Sequence, residues 1–492
     1  MYAIGIDLGT TGCKAIVADL TGKIVGQHYI EYPLIVRSAE EIEQDANLWW
    51  ELSCQAVKGA VAESGIPTDA VKGISVTSQG ISFVPVDENL KAIGNAYSWL
   101  DCRAMKETAR IRKKFELLDL YRITGLKCNP TYLLPKLMWI RNNKPEDLRG
   151  ARKILMAHDY LIAQMTGETI TDHSMAGGSL LYDVSNGCWS EQVCSALDVD
   201  PELLPELKEA GQVAGTLTPF AAERMGLKAG SVVAVGGQDQ KVAAFSAISD
   251  DVTASLCLGT AGAMEYLSDR PVFDSKMRIP LFSYLFRGTW TLEAVVSTTG
   301  ASLKWLRNTF FRNQSYRELD QLAEGCQPGC GGVFFYPHLG GATSPHWEPD
   351  VKGSLTGITL NTTDGDIVRA VLEGTAFQIR SNILVSEELC KPREELVVFG
   401  SGGSSPLWCQ IFADIIGKKV TALSSPDASG LGAARLAFRA LGMDSAAYGS
   451  EIRQASRVYR PDPQRTERYR LIYNDYRAVE NRSMGITTAA NI

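Results

Sequence analysis

The chain of 492 residues is longer than one hydrophobic core usually organises, so two or more domains are expected. With 45% hydrophobic and 21% charged residues and a formal net charge of −7, the composition is that of a globular enzyme, and the longest basic stretch, Arg110 to Lys114, is a short helical face, which argues against a nucleic-acid partner. No apolar run reaches the roughly 18 residues of a membrane span and the first residues form no charged-then-apolar leader, so no membrane association is expected and the reading is cytoplasmic.

From the amino terminus, the first thirty residues read as strand (YAIGID), tight turn (LGTTG), strand (CKAIVADL), the Thr21-Gly22 turn, and strand (KIVGQHYI), an antiparallel meander. The amphipathic stretch Asp45 to Ser64 predicts a helix and the apolar run Gly73 to Thr77 a strand, which together point to mixed α/β layers. The run from Ser231 to Gln238 predicts a strand that ends in two glycines and the carboxylate of Asp239. At AISDDV the apolar pattern breaks, and a domain boundary is expected near residue 248.

Just beyond, TASLCLGTAGAMEYLSD repeats the opening hairpin in weaker form, and two copies of one hairpin suggest a duplicated domain. Helices are then expected at Ala301 to Asn308, Asp366 to Glu388, Pro406 to Gly417 and Leu431 to Leu441, with VVFG and VTAL as buried strands. The tail beyond has tyrosine- and arginine-rich helical character. The 11 cysteines are scattered, many in apolar runs as Cys13, Cys257 and Cys409 are, and read as free thiols in a reducing compartment. Cys326 and Cys330 sit close together, but with no second pair or histidine cluster they read as loop residues and not as a zinc site.

Three segments carry chemistry. The first turn, with Asp7, Gly9, Thr10, Thr11 and Gly12, combines small residues that admit a phosphate to backbone N–H groups, hydroxyl donors, and a carboxylate able to hold hydrated Mg²⁺. An ordinary glycine turn with a capping aspartate would look the same; recurrence as Leu258-Gly259-Thr260 favours the phosphate reading. No G-x-x-x-x-G-K-[ST] motif occurs, which disfavours a P-loop. In the second segment, Phe399-Gly-Ser-Gly-Gly-Ser-Ser, the glycines Gly400, Gly402 and Gly403 permit a flat purine against backbone with Ser404 near a ribose, or merely turn a loop sharply. In the third, Asp239 is placed to accept the proton of an attacking hydroxyl, a solvated turn aspartate being the plain alternative.

Over essentially its whole length the sequence resembles the FGGY family of carbohydrate kinases. The segment Gly353 to Glu373 follows that family's carboxyl-terminal signature position by position, Leu134 to Asn143 follows a second signature more loosely, and Trp99 to Arg103, Asp159-Tyr160, Asp172 and Pro345 to Pro349 are also family-like. The resemblance implies an α/β fold of two actin-like (ribonuclease H-like) ATPase domains with a central cleft. Residues 1–248 would carry the sugar, magnesium, the first phosphate hairpin and the base, and residues 249–492 the second hairpin and the adenosine motif.

It implies ATP and Mg²⁺ as cofactors, with Asp7 at the metal and Gly9, Thr10, Thr11, Gly259 and Thr260 at phosphates. Gly402, Gly403 and Ser404 would lie at the nucleoside, Asp239 would be the base, and Gln79, Gly80, Ile81, Asp101 and Arg103 would join Asp239 around the acceptor. The expected partners are a small sugar or polyol and, in a homodimer, a second copy of the chain. D-Xylulose, giving xylulose 5-phosphate, is the leading acceptor, with another sugar, polyol or aldonate such as glycerol or gluconate as the alternative. Xylulose kinases of the family carry Met-His after the glutamine and glycerol kinases Arg-Glu, where this chain has Gly80-Ile81; a loop often written Gly-Glu-Arg reads Gly340-Gly-Ala-Thr-Ser-Pro here. The opening G-I-D-L-G-T-T also resembles the ATPases of the heat-shock chaperones, a rival from another class that explains neither the Asp239 segment nor the carboxyl-terminal signature.

Overall fold

The computed structural model describes residues 1–247, 253–423, 427–443, 448 and 456–483. The chain forms two compact units: Met1–Ala247 with Leu267–Thr291 and Asp427–Glu451, and Ile248–Tyr266 with Leu292–Pro426 and Ile452–Ile492. The break expected near residue 248 lies in 248–252, outside the described residues.

The first unit is built on a sheet in the order Val213–Thr216, Val232–Gln238, Val71–Ser78, Tyr2–Leu8, Gly12–Asp19, Ile24–Glu31. The opening meander is as expected, antiparallel throughout. Tyr2–Leu8, Val71–Ser78 and Val232–Gln238 run parallel, and Leu8 and Gln238 both register with Ser78. Whatever follows these three strands therefore emerges side by side at one sheet edge, the place where open α/β sheets bind ligands.

Alternation along Tyr2–Leu8 decides which layer covers which face. Ile4, Ile6 and Leu8 join Trp49, Ala56, Val57, Ala60, Tyr160 and Leu161 in one fully apolar cluster. The helix Ala46–Ser64, which supplies Trp49, Ala56, Val57 and Ala60, is capped by Asp45, whose carboxylate accepts from Asn47 N at 2.9 Å, and ends on Gly65 at φ 66°. On the other face Gly5 lies against the backbone of Gly430 in the helix Ala428–Ala440, which also packs on Asp239–Ala247.

The second unit repeats the scheme. Ala254–Leu258 and Gly262–Ser268 form the second hairpin, and Ala254–Leu258, Glu395–Phe399 and Lys419–Ala422 run parallel. The expected helices appear as Gly300–Phe310, Asp364–Leu389, Pro406–Ile416 and, in the first unit, Ala428–Ala440. The tail forms the helix Pro463–Ser483. Asp364–Leu389 starts with a reciprocal cap between Thr363 and Asp366, and its buried Glu373 accepts from Arg369 Nε at 2.7 Å, Tyr469 hydroxyl at 2.6 Å and Gly329 N at 3.1 Å. The signature segment thus ties a long helix to the tail. None of the 11 cysteines is in a disulfide, and among the described residues no helix is long and apolar enough to cross a membrane.

The close approach at Gly5 is testable. A Cβ there would collide with the Gly430 carbonyl and come within 2.9 Å of Ala434 N, contacts that only backbone movement relieves. Gly5→Ala should destabilise the protein by about 1–3 kcal/mol, read as a lower urea midpoint. Gly325→Ala, where a Cβ meets open space at φ −70°, should change it by less than about 0.5 kcal/mol.

Candidate active site

At the carboxyl edge of the first sheet, Gly9 N donates to Gly12 O at 2.9 Å and closes the first turn, while Tyr32 hydroxyl holds Gly9 O. Thr10 is fixed from both sides: its carbonyl accepts from Gln44 Nε2 at 2.7 Å and its hydroxyl oxygen from Trp99 Nε1 at 2.9 Å. The hydroxyl hydrogen of Thr10 therefore remains to be donated, and Thr11 is exposed beside it. Asp7 stands at the strand end below the turn, next to Lys14, which is itself paired with Asp427. Burial pushes the Asp7 carboxyl up to about 6, against the pull of a Ser429 hydrogen bond and the Lys14 charge.

The strand Val71–Ser78 delivers Gln79, Gly80 and Ile81 to the same edge. Gln79 N donates to Leu8 O at 2.9 Å, and its Nε2 donates at 2.9 Å to Gln44 Oε1, so one amide relay links Gln79 to Thr10. Gln79 Oε1 is buried with no partner among the described residues. Ile81 sits at φ 71°, a left-handed backbone that a β-branched residue adopts only under about 1–3 kcal/mol of strain.

Asp239 enters from the third strand. A bulge between Ala234 and Gly237 breaks the register with Val71–Ser78; Gly236 presses on Val76 O, and Thr77 hydroxyl catches Gly237 O at 2.9 Å. Such bulges re-aim the residues that follow. Gly236 N donates at 3.1 Å to His158 Nε2, which must then be the unprotonated nitrogen, leaving Nδ1–H for Asp159 at 2.8 Å. Asp239 opens the helix Asp239–Ala247, half-buried, with Oδ1 accepting from Gln240 N at 2.7 Å.

Asp101 and Arg103, expected at the acceptor, are held in a buried ion-pair set. Arg103 binds Asp101 at 2.7 Å and Glu43 at 3.0 Å, its side chain is 4% exposed, and its guanidinium lies 4.9 Å from the Trp139 ring centre and 5.1 Å from that of Tyr97. Asp101 also accepts from Ile42 N at 2.8 Å. Two opposite charges so close in sequence neutralise each other in the interior, and the pair braces the loop that presents Trp99. Lys136 of the second signature is likewise interior: it donates to Ser98 O at 2.7 Å, and burial pulls its ammonium down to about 7.

In the second unit, Gly259, Thr260, Gly402 and Ser404 line a cavity of about 580 Å³ together with Lys304, Trp305, Tyr316 and Asp320. The second turn is gripped by a helix start, since Gly300 N donates to Gly259 O at 2.9 Å and Ala301 N to Thr260 O at 3.0 Å. Gly403 is not part of the lining: the tight turn Ser401–Ser404 points it inward, with a Cβ position 3.5 Å from Val398 Cγ1. Ser405 caps the helix Pro406–Ile416 and donates its hydroxyl to Asp320 at 2.7 Å, while burial raises the Asp320 carboxyl. Sequence reasoning did not single out Gln44, Trp305, Tyr316 or Asp320 as site residues, because Gln44 ends a short strand and the other three lie in helices, all without a spacing signal.

The raised Asp7 carboxyl has a consequence for stability. Ionisation is harder in the folded protein than in the unfolded chain, so Asp7 is neutral in its effect while protonated in both, below about pH 4, and becomes unfavourable as pH rises through about 6. With EDTA present, Asp7→Asn should raise stability at pH 7.5 by up to about 3 kcal/mol and leave it unchanged below pH 4, read as the difference in thermal midpoint.

Comparison with known proteins agrees with this architecture. Residues 2–246 match the N-terminal domain, and residues 254–441 the C-terminal domain, of the FGGY family of carbohydrate kinases. The chain is 29% identical over 494 residues to a xylulose kinase of Bacillus subtilis (strain 168), covering 99% of this chain and 98% of that one. It is 27% identical over 515 residues to a gluconokinase of the same organism, covering 99% of each. Among solved structures, a ligand-bound xylulose kinase from Lactobacillus acidophilus superposes with a TM-score of 0.90 at 25% identity over 98% of each chain. Matches to both halves set the chaperone alternative aside. The chain has the two-domain actin-like ATPase fold and belongs to the FGGY family of carbohydrate kinases.

Proposed function

We propose that this carbohydrate kinase transfers the γ-phosphoryl group of ATP to a hydroxyl of a small sugar, with D-xylulose the leading acceptor and Asp239 the base. The observation that carries the reading is the register of three parallel strands, which ends Leu8, Ser78 and Gln238 side by side and so gathers the Thr10 turn, Gln79 and Asp239 at one edge. Substrate choice leans on the xylulose kinase relatives, and the whole-length similarity to a gluconokinase keeps an aldonate as the second candidate.

In this reading residues 1–248 supply the acceptor site and residues 249–492 the nucleotide site. The cavity lined by Gly259, Thr260, Gly402 and Ser404 suits a nucleoside and its phosphates, with Trp305 and Tyr316 able to face a base. Mg²⁺ suits the donors of the first turn, since the ion keeps most of its water and needs only one or two carboxylates beside phosphate oxygens; Asp7 would hold it through that water. The ion would neutralise charge on the transferring phosphoryl group.

Asp239 orients the attacking hydroxyl and takes its proton as the new P–O bond forms, and the Thr10 hydroxyl donates toward phosphate. Asp101 and Arg103 act at one remove, by fixing the Trp99 loop. A coupled ADP assay across D-xylulose, D-gluconate and glycerol separates the acceptors, and D-xylulose should give the highest kcat/KM. With the best acceptor, Asp239→Asn should lose about 10² to 10⁴ in kcat while its ADP affinity, measured by calorimetry, stays within a few-fold of wild type. Turnover within a few-fold of wild type would move the base elsewhere.

A further inference from the structure

Gly80 stands where xylulose and glycerol kinases of the family carry a methionine or an arginine, and in this protein the vacant space is already taken. A Cβ at Gly80 would lie 2.9 Å from Gln238 Nε2 and 3.2 Å from both Gln238 Cγ and Cδ. The Gln238 amide thus lies over the floor formed by Gly80 and is only half-buried, directly before Asp239 in the chain. Its orientation is set from behind. Lys241, completely buried, donates from Nζ to Gln238 Oε1, and its ammonium sits 4.1 Å from the ring centre of Phe282. An ammonium can only donate, so the amide oxygen must face Lys241 and the NH₂ must face the other way, toward Gly80. Ile81 adds no polar group, and its strained backbone keeps the segment tight against Gly178, where a Cβ would be 3.1 Å from Ile81 Cγ1.

We propose that Gln238 is the specificity-determining donor of the acceptor site, its NH₂ hydrogen-bonded to an oxygen of the sugar beside the hydroxyl that Asp239 deprotonates, and that Lys241 is the positioning residue that fixes this orientation. The inference rests on the reading of the Asp239 edge as the sugar site. It also explains the glycine: a side chain at position 80 and the Gln238 amide compete for one space, so the polar contact that relatives draw from the second strand comes here from the third.

The test is a double-mutant cycle on the whole protein, with ADP release measured against D-xylulose, D-gluconate and glycerol and the best of the three taken forward. Gln238→Leu keeps the volume and removes the donor; sugar KM should rise about five- to tenfold, the worth of one hydrogen bond, with kcat and the KM for ATP within about threefold. Lys241→Met should raise sugar KM by a similar factor. Because Lys241 acts through Gln238, the double variant should be no worse than either single one, whereas independent roles would multiply to about 25- to 100-fold. An unchanged sugar KM in Gln238→Leu, or multiplying losses in the double variant, overturns the proposal. Should Lys241→Met fail to fold, Gln238→Leu decides alone, its thermal midpoint matching wild type. A wild-type protein that turns over none of the three sugars overturns the acceptor reading itself, and this inference with it.

Discussion

Hydrogen-bond register between three parallel strands is the constraint from which the first unit's site follows. Leu8, Ser78 and Gln238 end level, so a turn from residue 9, a segment from residue 79 and a helix from residue 239 have no choice but to meet. A one-residue slip would exchange the faces of a strand and send Ile4, Ile6 and Leu8 out of the cluster around Trp49, so the apolar core holds the register and the register holds the site. The bulge between Ala234 and Gly237 falls just before Asp239, where aim matters more than ladder bonding.

The same edge also concentrates unfavourable terms that the rest of the unit avoids. Asp7 is a carboxylate pushed toward its neutral form, Gln79 Oε1 lacks a partner among the described residues, and Ile81 is held in a left-handed backbone. Each is tolerable only because the surroundings over-determine it: the amide relay through Gln44, the packing on Gly178, the Lys14–Asp427 pair. Nearby polar groups with no such exposure to ligand are satisfied, as the Glu43–Arg103–Asp101 set and the His158–Asp159 pair are. The contrast between strained and satisfied polar groups sets the site apart from its supports.

Most of the architecture was legible because its signals are local. Period-two alternation around a glycine turn gives both hairpins, and the Asp45 cap and Gly65 stop bound the first long helix. What was not legible depends on long-range packing. Ala428–Ala440 follows the glycine turn of the second unit in sequence, yet it belongs with Tyr2–Leu8, because Gly5 and Gly430 allow two backbones to touch; neither glycine announces that partner. Charge and family pattern make Asp101 and Arg103 visible in a sequence, while Glu43, the second carboxylate that binds Arg103, lies 60 residues from it. Gln238 carries no signal of its own in the sequence, where it only ends a predicted strand; the buried Lys241 and the bare Cα of Gly80 give it a direction.

The two hairpins differ in ways that fit two tasks. Leu8-Gly9-Thr10 and Leu258-Gly259-Thr260 correspond, but the position of Asp7 is held by Cys257 in the second copy, and that of Lys14 has no charged counterpart in its paired strand, where Cys257 faces Ala263. The second turn is also a residue shorter, Leu258 pairing with Gly262 where Leu8 pairs with Cys13. A shorter, uncharged turn clamped by the start of the helix Gly300–Phe310 offers backbone and a threonine hydroxyl to phosphate oxygens, and nothing to a cation. The longer first turn keeps its carboxylate. Under the proposed function a divalent ion therefore has one natural seat among these two turns, and the charge asymmetry, more than the shared glycines, supports placing the metal at the first turn.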